Sequence, residues 1–365
     1  MTSDPLGNEA APEASLSPTP HKRRKRYSGK NPRRFEDKYK ELNPDKYPDA
    51  VAKVLAAGKT PAGQHVPIMV NEVLECLKPQ AGERVVDCTL GYGGHTRALW
   101  QSVQPGGHVL SLDADPLELE RTTARLRATG LGEESWTPMR CNFAGLLKAL
   151  SDQGWNEGAD VIFADLGLSS MQIDNPERGF TFKHDGPLDM RLNPQRGKPA
   201  ADLLADLSVE KLARLLEENA DEPRAQLLAQ HLHDRVREAP ITRTKALAET
   251  LRQALPRGLS TDDADATVRR VFQAIRIAVN EEFTVLDSLL RTLPGALKPG
   301  ARVAILTFHS GEDRRVKKAF QEGLHTGVYS QVAREVIRAS SEEQRQNPRS
   351  SPAKLRWAFR TMGTD

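Results

Sequence analysis

From residue 65 onward, short unbroken apolar runs alternate with stretches whose apolar positions recur every three or four residues, a pattern that predicts strands alternating with helices. Residues 65–79 (HVPIMVNEVLECLKP) carry Val70, Val73, Leu74 and Leu77 at helical spacing, with Asn71 near the start and Pro79 as the stop. Residues 83–90 read as a strand. Gly91, Tyr92, Gly93 and Gly94 follow, and His95 and Thr96 open a second helix, TRALWQSV. A second strand, residues 108–112, ends in Asp113, Ala114, Asp115 and Pro116, and leads into the helical stretch LELERTTARLRATG. A third strand near residues 136–140 ends in Cys141, Asn142 and Phe143, and a fourth, residues 161–164, ends on Asp165. This spacing predicts an α/β fold with a parallel, doubly wound sheet.

The stretch after the fourth strand breaks the pattern. Residues 160–191 (DVIFADLGLSSMQIDNPERGFTFKHDGPLDMR) contain Gly, Ser, Asp, Arg, Phe and Pro in place of a packable element. Loops of this length are functional or disordered. Met171, Ile173, Phe180, Phe182, Leu188 and Met190 are too many apolar anchors for disorder, so an ordered active-site loop is expected at the strand's carboxyl end.

Residues 199–257 are helical throughout, with Leu212, Leu215 and Leu216, then Leu228, Leu232 and Val236, at helical spacing and with Ser208 and Thr244 as expected N-caps. His231 and His233 lie two apart on different helix faces, which argues against a metal pair. The sheet pattern then resumes. Amphipathic helices are stopped by Pro299 and Gly300, and a fifth strand at residues 303–308 ends in His309, Ser310, Gly311, Glu312 and Asp313. A basic helix (RRVKKAF), a basic loop (QRQNPRSSPAK) and a closing strand at residues 355–360 complete the chain. The expected organisation is an extension at 1–60, the first part of a sheet domain at 61–195, a helical insertion at 196–265, and the rest of the sheet domain at 266–365.

Composition narrows the class. The 365 residues are 38% hydrophobic, enough for a real core, and the net charge of +3 says little about partners by itself. Cys76, Cys88 and Cys141 form no CxxC and no even set, which points to a reducing compartment without a disulfide frame or zinc site. No apolar run reaches membrane-span length and no signal or transit pattern opens the chain, so a cytoplasmic protein is expected. The first sixty residues are a Pro/Ala/Ser/Glu segment followed by HKRRKRYSGKNPRRFEDKYK, read as disordered. That basic run is either a phosphate-binding arm or a solvated tail.

The polar groups fall in series at successive strand ends: Gly91 to Gly94, Asp113, Asn142 and Phe143, then Asp165. Glycines allow backbone to approach a ligand, and an acid after the second strand suits ribose hydroxyls. A complete GxGxxG turn is lacking, because Thr96 stands at its third glycine. The series is the layout of a Rossmann-like, S-adenosylmethionine-dependent (class I) methyltransferase.

HVPIMVNEVLE, DCTLGYGGHT, LDADP, the residue 165–191 motif, VFQAIRIAVNEE, TFHSGEDRRVK and NPRSSPAKLR together resemble the RsmH (MraW) family of small-subunit rRNA methyltransferases, over roughly residues 65–361. The resemblance implies methylation of the exocyclic N4 of a decoding-site cytidine in 16S rRNA, with S-adenosylmethionine as cofactor. The implied partners are 16S rRNA and the small ribosomal subunit, with no metal, no membrane, and a homodimer kept as an option. It implies cofactor contacts from Gly93, Gly94, His95, Asp113, Phe143, Asp165 and Gln172. Departures from the family pattern are Cys88 for a usual glycine, SGEDR for SLEDR, and ADEPRAQLLAQHL where the family has a more basic helix. The first sixty residues are taken to have no family counterpart. A different reading keeps the fold but not the chemistry, as a non-catalytic small-subunit assembly factor.

Cytosine N4 is a poor nucleophile, so the site must orient the amino group and accept a proton. The Asp/Asn-Pro-Pro-aromatic turn of familiar amino-methyltransferases is absent. Asp165, Leu166, Gly167, Leu168, Ser169 and Ser170 stand in its place. Asp165 is assigned to positioning, with Asp189 or His309 as the proton acceptor. Arg178 and Arg191 are candidate RNA contacts, Arg191 being alternatively the partner of Asp189 in a loop-pinning ion pair. Phe180 and Phe182 either stack on a flipped base or anchor the loop.

Overall fold

The computed structural model describes residues 67–363. The extension expected at 1–60 lies outside the described residues. One sheet holds β1 (Arg84–Asp87), β2 (His108–Asp113), β3 (Trp136–Arg140), β4 (Ala159–Asp165), β5 (Leu297–Thr307), β6 (Tyr329–Val332) and β7 (Lys354–Arg360) in the order β3-β2-β1-β4-β5-β7-β6. The first five strands are mutually parallel. β7 runs antiparallel to both β5 and β6, which closes that edge as a hairpin. This is the doubly wound, Rossmann-like sheet that the strand spacing predicts.

Strands buried on both faces are apolar at every position, and the side-chain period of two divides them between two layers. In β4, Ile162 and Ala164 enter one core while Val161 and Phe163 enter the other. In β5, Val303 and Ile305 oppose Ala304 and Leu306. α1 (Val70–Leu77), α2 (Gly94–Ser102) and α3 (Pro116–Ala128) cover one face through Leu77, Leu99 and Leu126. α4 (Leu146–Asp152) shares the other face with two later helices.

The stretch after β4 is more ordered than its composition suggests. It holds a short helix, α5 (Ser170–Asp174), and a 3-10 turn (Pro176–Arg178). Ser169 caps α5 reciprocally with Gln172, a capping box that marks the helix start. The rest of the segment ends in a third core. Leu188 and Met190 are buried with α6 (Ala200–Asp206), α7 (Val209–Ala220), α8 (Ala225–Glu238), α9 (Thr244–Ala254) and α10 (Thr261–Asn280). The boundary drawn at 265/266 therefore cuts a single helix, because Val268, Val271, Phe272 and Ile275 of α10 all belong to the helical core. Phe180 and Phe182 pack on this core, and Phe182 lies 5.1 Å from Phe272, so they anchor the loop.

Local capping differs in one place from expectation. Ser208 caps α7 through Lys211 N–H, but Thr244 is the first residue of α9, and its hydroxyl accepts from Gly186 N–H at 3.1 Å. Glu281 then turns the chain in the left-handed region (φ 52°) from α10 into α11 (Glu282–Ala296). α11 and α12 (Ser310–His325) complete the second face of the sheet through Leu289, Leu293, Val316 and Phe320. α12 starts on Ser310, earlier than the basic run indicates, because Glu312 reaches back to the N–H of Phe308. A last short helix, α13 (Ser341–Gln346), precedes β7. No described helix is long and apolar enough to cross a membrane.

In the helical core a buried carboxylate is paired with a partly exposed arginine. Glu222 is fully buried and accepts from Arg270 Nε at 2.6 Å, with Arg224 N–H as a second donor at 3.1 Å. Removing one member of such a pair strands the other charge. Arg270→Ala should destabilise the protein by roughly 3 kcal/mol in urea unfolding, whereas Arg269→Ala on the exposed face should change it by less than about 0.5 kcal/mol.

Candidate functional site

Parallel strands bring their carboxyl ends to one edge of the sheet, and a ligand crevice forms there. Here it is a cavity of about 500 Å³, within the range that holds cofactors. Gly93, Gly94, His95, Asp113, Phe143, Asp165, Gln172 and His309 all line it. Asp189, Arg178 and Arg191 do not.

The glycine turn is shaped by two different constraints. Gly93 has φ 75°, and a Cβ there would also lie 2.6 Å from Leu126 Cδ1. Gly94 has ordinary backbone, but its Cβ would lie 2.6 Å from Pro67, so close packing excludes a side chain. His95 sits behind the turn. Its Nε2 is 2.9 Å from the carbonyl of Ile68, which can only accept, so Nε2 carries the proton of the neutral ring. Its Nδ1 faces Asp165 Oδ2 at 3.5 Å. Burial pushes the His95 pKa down to about 4.

Two acids follow β2 and divide the work. Asp113 lines the cavity. Its two oxygens accept the N–H groups of Gly91 and Asp115, each at 2.8 Å, and burial raises its pKa to about 6. Asp115 turns inward, is fully buried and caps α3. It receives Arg178 Nη1 at 2.7 Å and the Gln172 amide at 2.8 Å. Arg178 Nη2 donates onward to the carbonyls of Arg191 and Leu192. The RNA-contact role expected of Arg178 is thus corrected: it is buried and fully engaged in holding the loop. Gln172 borders the cavity, but its amide serves Asp115 and the Ser169 N–H.

For Asp189 and Arg191 the structure shows the loop-pinning ion pair that the sequence offered as the alternative. Their side chains form a fork, with Nε to Oδ1 at 2.8 Å and Nη2 to Oδ2 at 2.7 Å, reinforced by the Arg191 N–H. Lying outside the cavity, Asp189 cannot receive a proton from a ligand there, and Arg191 pins the loop.

Asp165 is different. One oxygen, Oδ1, has no hydrogen-bond partner, and burial together with the charges of Asp87 and Glu312 raises its pKa well above the usual carboxylate range. The lining also holds polar groups that sequence reading missed: Arg276, Asn280, Glu282 and Glu312 beside His309. Arg276 forks onto Glu282 at 2.7 and 2.8 Å. His309 Nε2 is 3.1 Å from Glu312 Oε1 but off the line of a hydrogen bond. The local signals were NEE at the break between α10 and α11 and the acids after the fifth strand. Neither places these groups in one cavity with Asp165. Glu282, His309 and Glu312 present ligand atoms within 4.8 Å of one another, a spacing open to a metal ion. Arg276 and the Phe308 N–H already engage the two carboxylates. Gly311, a departure from the resemblance, leaves room for Phe283: a Cβ there would lie 2.6 Å from the ring.

With this geometry in place, the model of the MraW methylase family matches residues 62–361. The chain belongs to that family. It is 48% identical over 344 residues to the ribosomal RNA small subunit methyltransferase H 1 of Agathobacter rectalis, covering 93% of this chain and 98% of that protein. The corresponding H 2 protein of Alkaliphilus metalliredigens is 47% identical, with 93% and 97% covered. The methyltransferase H of Rubrobacter xylanophilus is 39% identical, with 82% and 97% covered. Matches over 93% of the chain reach well into residues 1–60, so the expectation that this segment lacks a family counterpart is overturned.

The cavity fits the cofactor of a class I methylase. Asp113 keeps lone pairs for ribose hydroxyls, Phe143 offers a flat apolar face, the glycine turn admits close approach, and Asp165, with one buried oxygen unpartnered, belongs to the lining. The buried His95 also makes stability depend on pH. Its folded pKa of about 4 lies below the ordinary 6.5, so the unfolded state takes up the proton first. Its contribution is complete above about pH 6.5 and is lost as pH falls toward 4. The stability difference between wild type and His95→Gln should change by on the order of 3 kcal/mol across that window and be flat above it, in denaturant titrations at each pH.

Proposed function

We propose that this chain transfers a methyl group from S-adenosylmethionine to the exocyclic N4 of a cytidine in small-subunit ribosomal RNA, the decoding-site cytidine of 16S rRNA. The names of its relatives support the substrate. The observation that carries the reading is the unpartnered Asp165 oxygen at the end of the central strand, in a cofactor-sized cavity also lined by Arg276, Asn280, Glu282, His309 and Glu312.

When bound, S-adenosylmethionine supplies an electrophilic methyl group on a sulfonium. Asp113 takes the ribose hydroxyls, and the turn at Gly93 and Gly94 lets backbone reach the amino-acid end. A cationic ligand favours the ionised form of Asp165, whose Oδ1 then accepts a hydrogen bond from the N4 amino group and fixes its lone pair in line. His309 receives the proton released from N4, and Glu312, 3.1 Å away and anchored by the Phe308 N–H, stabilises the imidazolium that results. The cytidine leaves its stack to enter. The helical unit and the basic residues Arg314, Arg315, Lys317 and Lys318 of α12 supply the surface for the RNA backbone.

Incubating the protein with tritiated S-adenosylmethionine and small subunits from a strain lacking it should label one cytidine, identified as N4-methylcytidine by mass mapping. Cofactor-independent subunit binding without label would instead support an assembly factor. Asp165→Ala should abolish transfer and weaken cofactor binding in calorimetry. Arg191→Ala, outside the cavity, should leave cofactor affinity within about twofold and lower stability by at most ~1 kcal/mol.

A further inference from the structure

Among the described residues, the cavity wall contains one buried cationic nitrogen without a hydrogen-bond partner. Among the described residues lining the cavity, Arg276 and Arg349 are the arginines, and there is no lysine. Arg276 closes its fork on Glu282. Arg349 is half-engaged. Its Nη2 donates to both oxygens of Asp174, at 2.8 and 3.1 Å, while Nη1 is buried with no hydrogen-bond partner. Native proteins pair buried donors of charged groups, because leaving them unpaired is costly. A guanidinium held on one side and unpaired on the other is ready for an oxyanion.

Its place in the fold narrows which oxyanion. Arg349 follows α13, and Glu343 of that helix accepts the N–H of Met69 at 2.9 Å. Met69 lies two residues beyond Pro67, the residue packed against Gly94. The carboxyl-terminal loop is thereby tied to the segment lying on the glycine turn and, through Asp174, to the helix following Asp165. The rest of the cavity wall is rich in acids, so an anionic group entering it needs a cation.

We propose that Arg349 is a cofactor-binding residue whose Nη1 donates to the carboxylate of the amino-acid end of S-adenosylmethionine, with Asp174 fixing the other side of the fork. The assignment rests on the methyl-transfer reading for the identity of the ligand. It makes the loop around Arg349 part of the cofactor site, although that loop lies more than 150 residues beyond α5.

Calorimetry on the full chain with two compounds tests it. One is S-adenosylhomocysteine, and the other is S-adenosyl-3-thiopropylamine, the same thioether without the carboxylate. Arg349→Ala should weaken S-adenosylhomocysteine roughly ten- to hundredfold and leave the amine nearly unchanged, and Arg349→Lys should restore part of the loss. Asp174→Asn, which loosens the fork but keeps the cation, should leave the preference between the two compounds largely in place. Equal weakening of both compounds by Arg349→Ala would reduce Arg349 to a structural latch and overturn the proposal, as would an unchanged affinity for S-adenosylhomocysteine or an effect confined to RNA binding. If the wild-type chain binds neither compound, the methyl-transfer reading falls and takes this assignment with it. If it binds both but Arg349→Ala does not separate them, only the assignment falls.

Discussion

The buried contact between Asp115 and Arg178 is the constraint on which the site depends. Asp115 belongs to the end of β2 and caps α3. Arg178 belongs to the loop after β4, 63 residues later. One guanidinium nitrogen meets that carboxylate and the other meets the carbonyls of Arg191 and Leu192, so a single side chain fixes both ends of the loop against the sheet. Gln172 adds a second donor to the same oxygen. A charge pair taken out of water is worth keeping only when its remaining hydrogen bonds are satisfied, and here they are. The strained turn at Met190 (φ 62°) is tolerated because Arg178 O accepts its N–H and Asn280 donates to its carbonyl.

This arrangement separates two kinds of acid. Asp115, paired and hydrogen-bonded, serves the scaffold. Asp113 and Asp165 face the cavity with pKa values raised by burial, and Asp165 retains an oxygen with nothing to accept from. A binding site needs such unfinished groups, and the fold can hold them only where neighbouring contacts are complete. Asp87, also raised by burial, to about 7, is bonded instead to Thr96 at 2.6 Å and belongs to the scaffold under the turn.

What the sequence made legible follows from distance along the chain. Strand, turn and acid lie within a few residues of one another, so Gly93, Gly94, Asp113, Phe143 and Asp165 could be placed on one sheet edge from the pattern alone. The role of Asp115 beside Asp113 could not, because two acids at one strand end look alike until their side chains point opposite ways. Arg178 looked like an RNA contact because it is a basic residue in a polar loop, and only its buried partner, 63 residues earlier, shows otherwise. His309 could be read as a strand-end group, but Arg276 and Glu282 beside it could not: they come from α10 and α11, and no local spacing records that they share a cavity with Asp165. Phe180 and Phe182 left two readings open, stacking or anchoring, and the core they join decides between them.

The placement of α10 joins the two halves of the problem. Its residues 268–275 are packed into the helical core, and Arg276 and Asn280, one turn further on, face the cavity. Asn280 accepts from Leu192 N–H at 2.7 Å and donates to the carbonyls of Met190 and Arg276, so it stitches the loop's far end to the same helix. A helix does not bend freely between adjacent turns, and a packed core resists sliding. A force applied to the helical unit therefore reaches the acidic wall and the loop together, without a hinge between them. The helical unit is thus a continuation of the cavity wall.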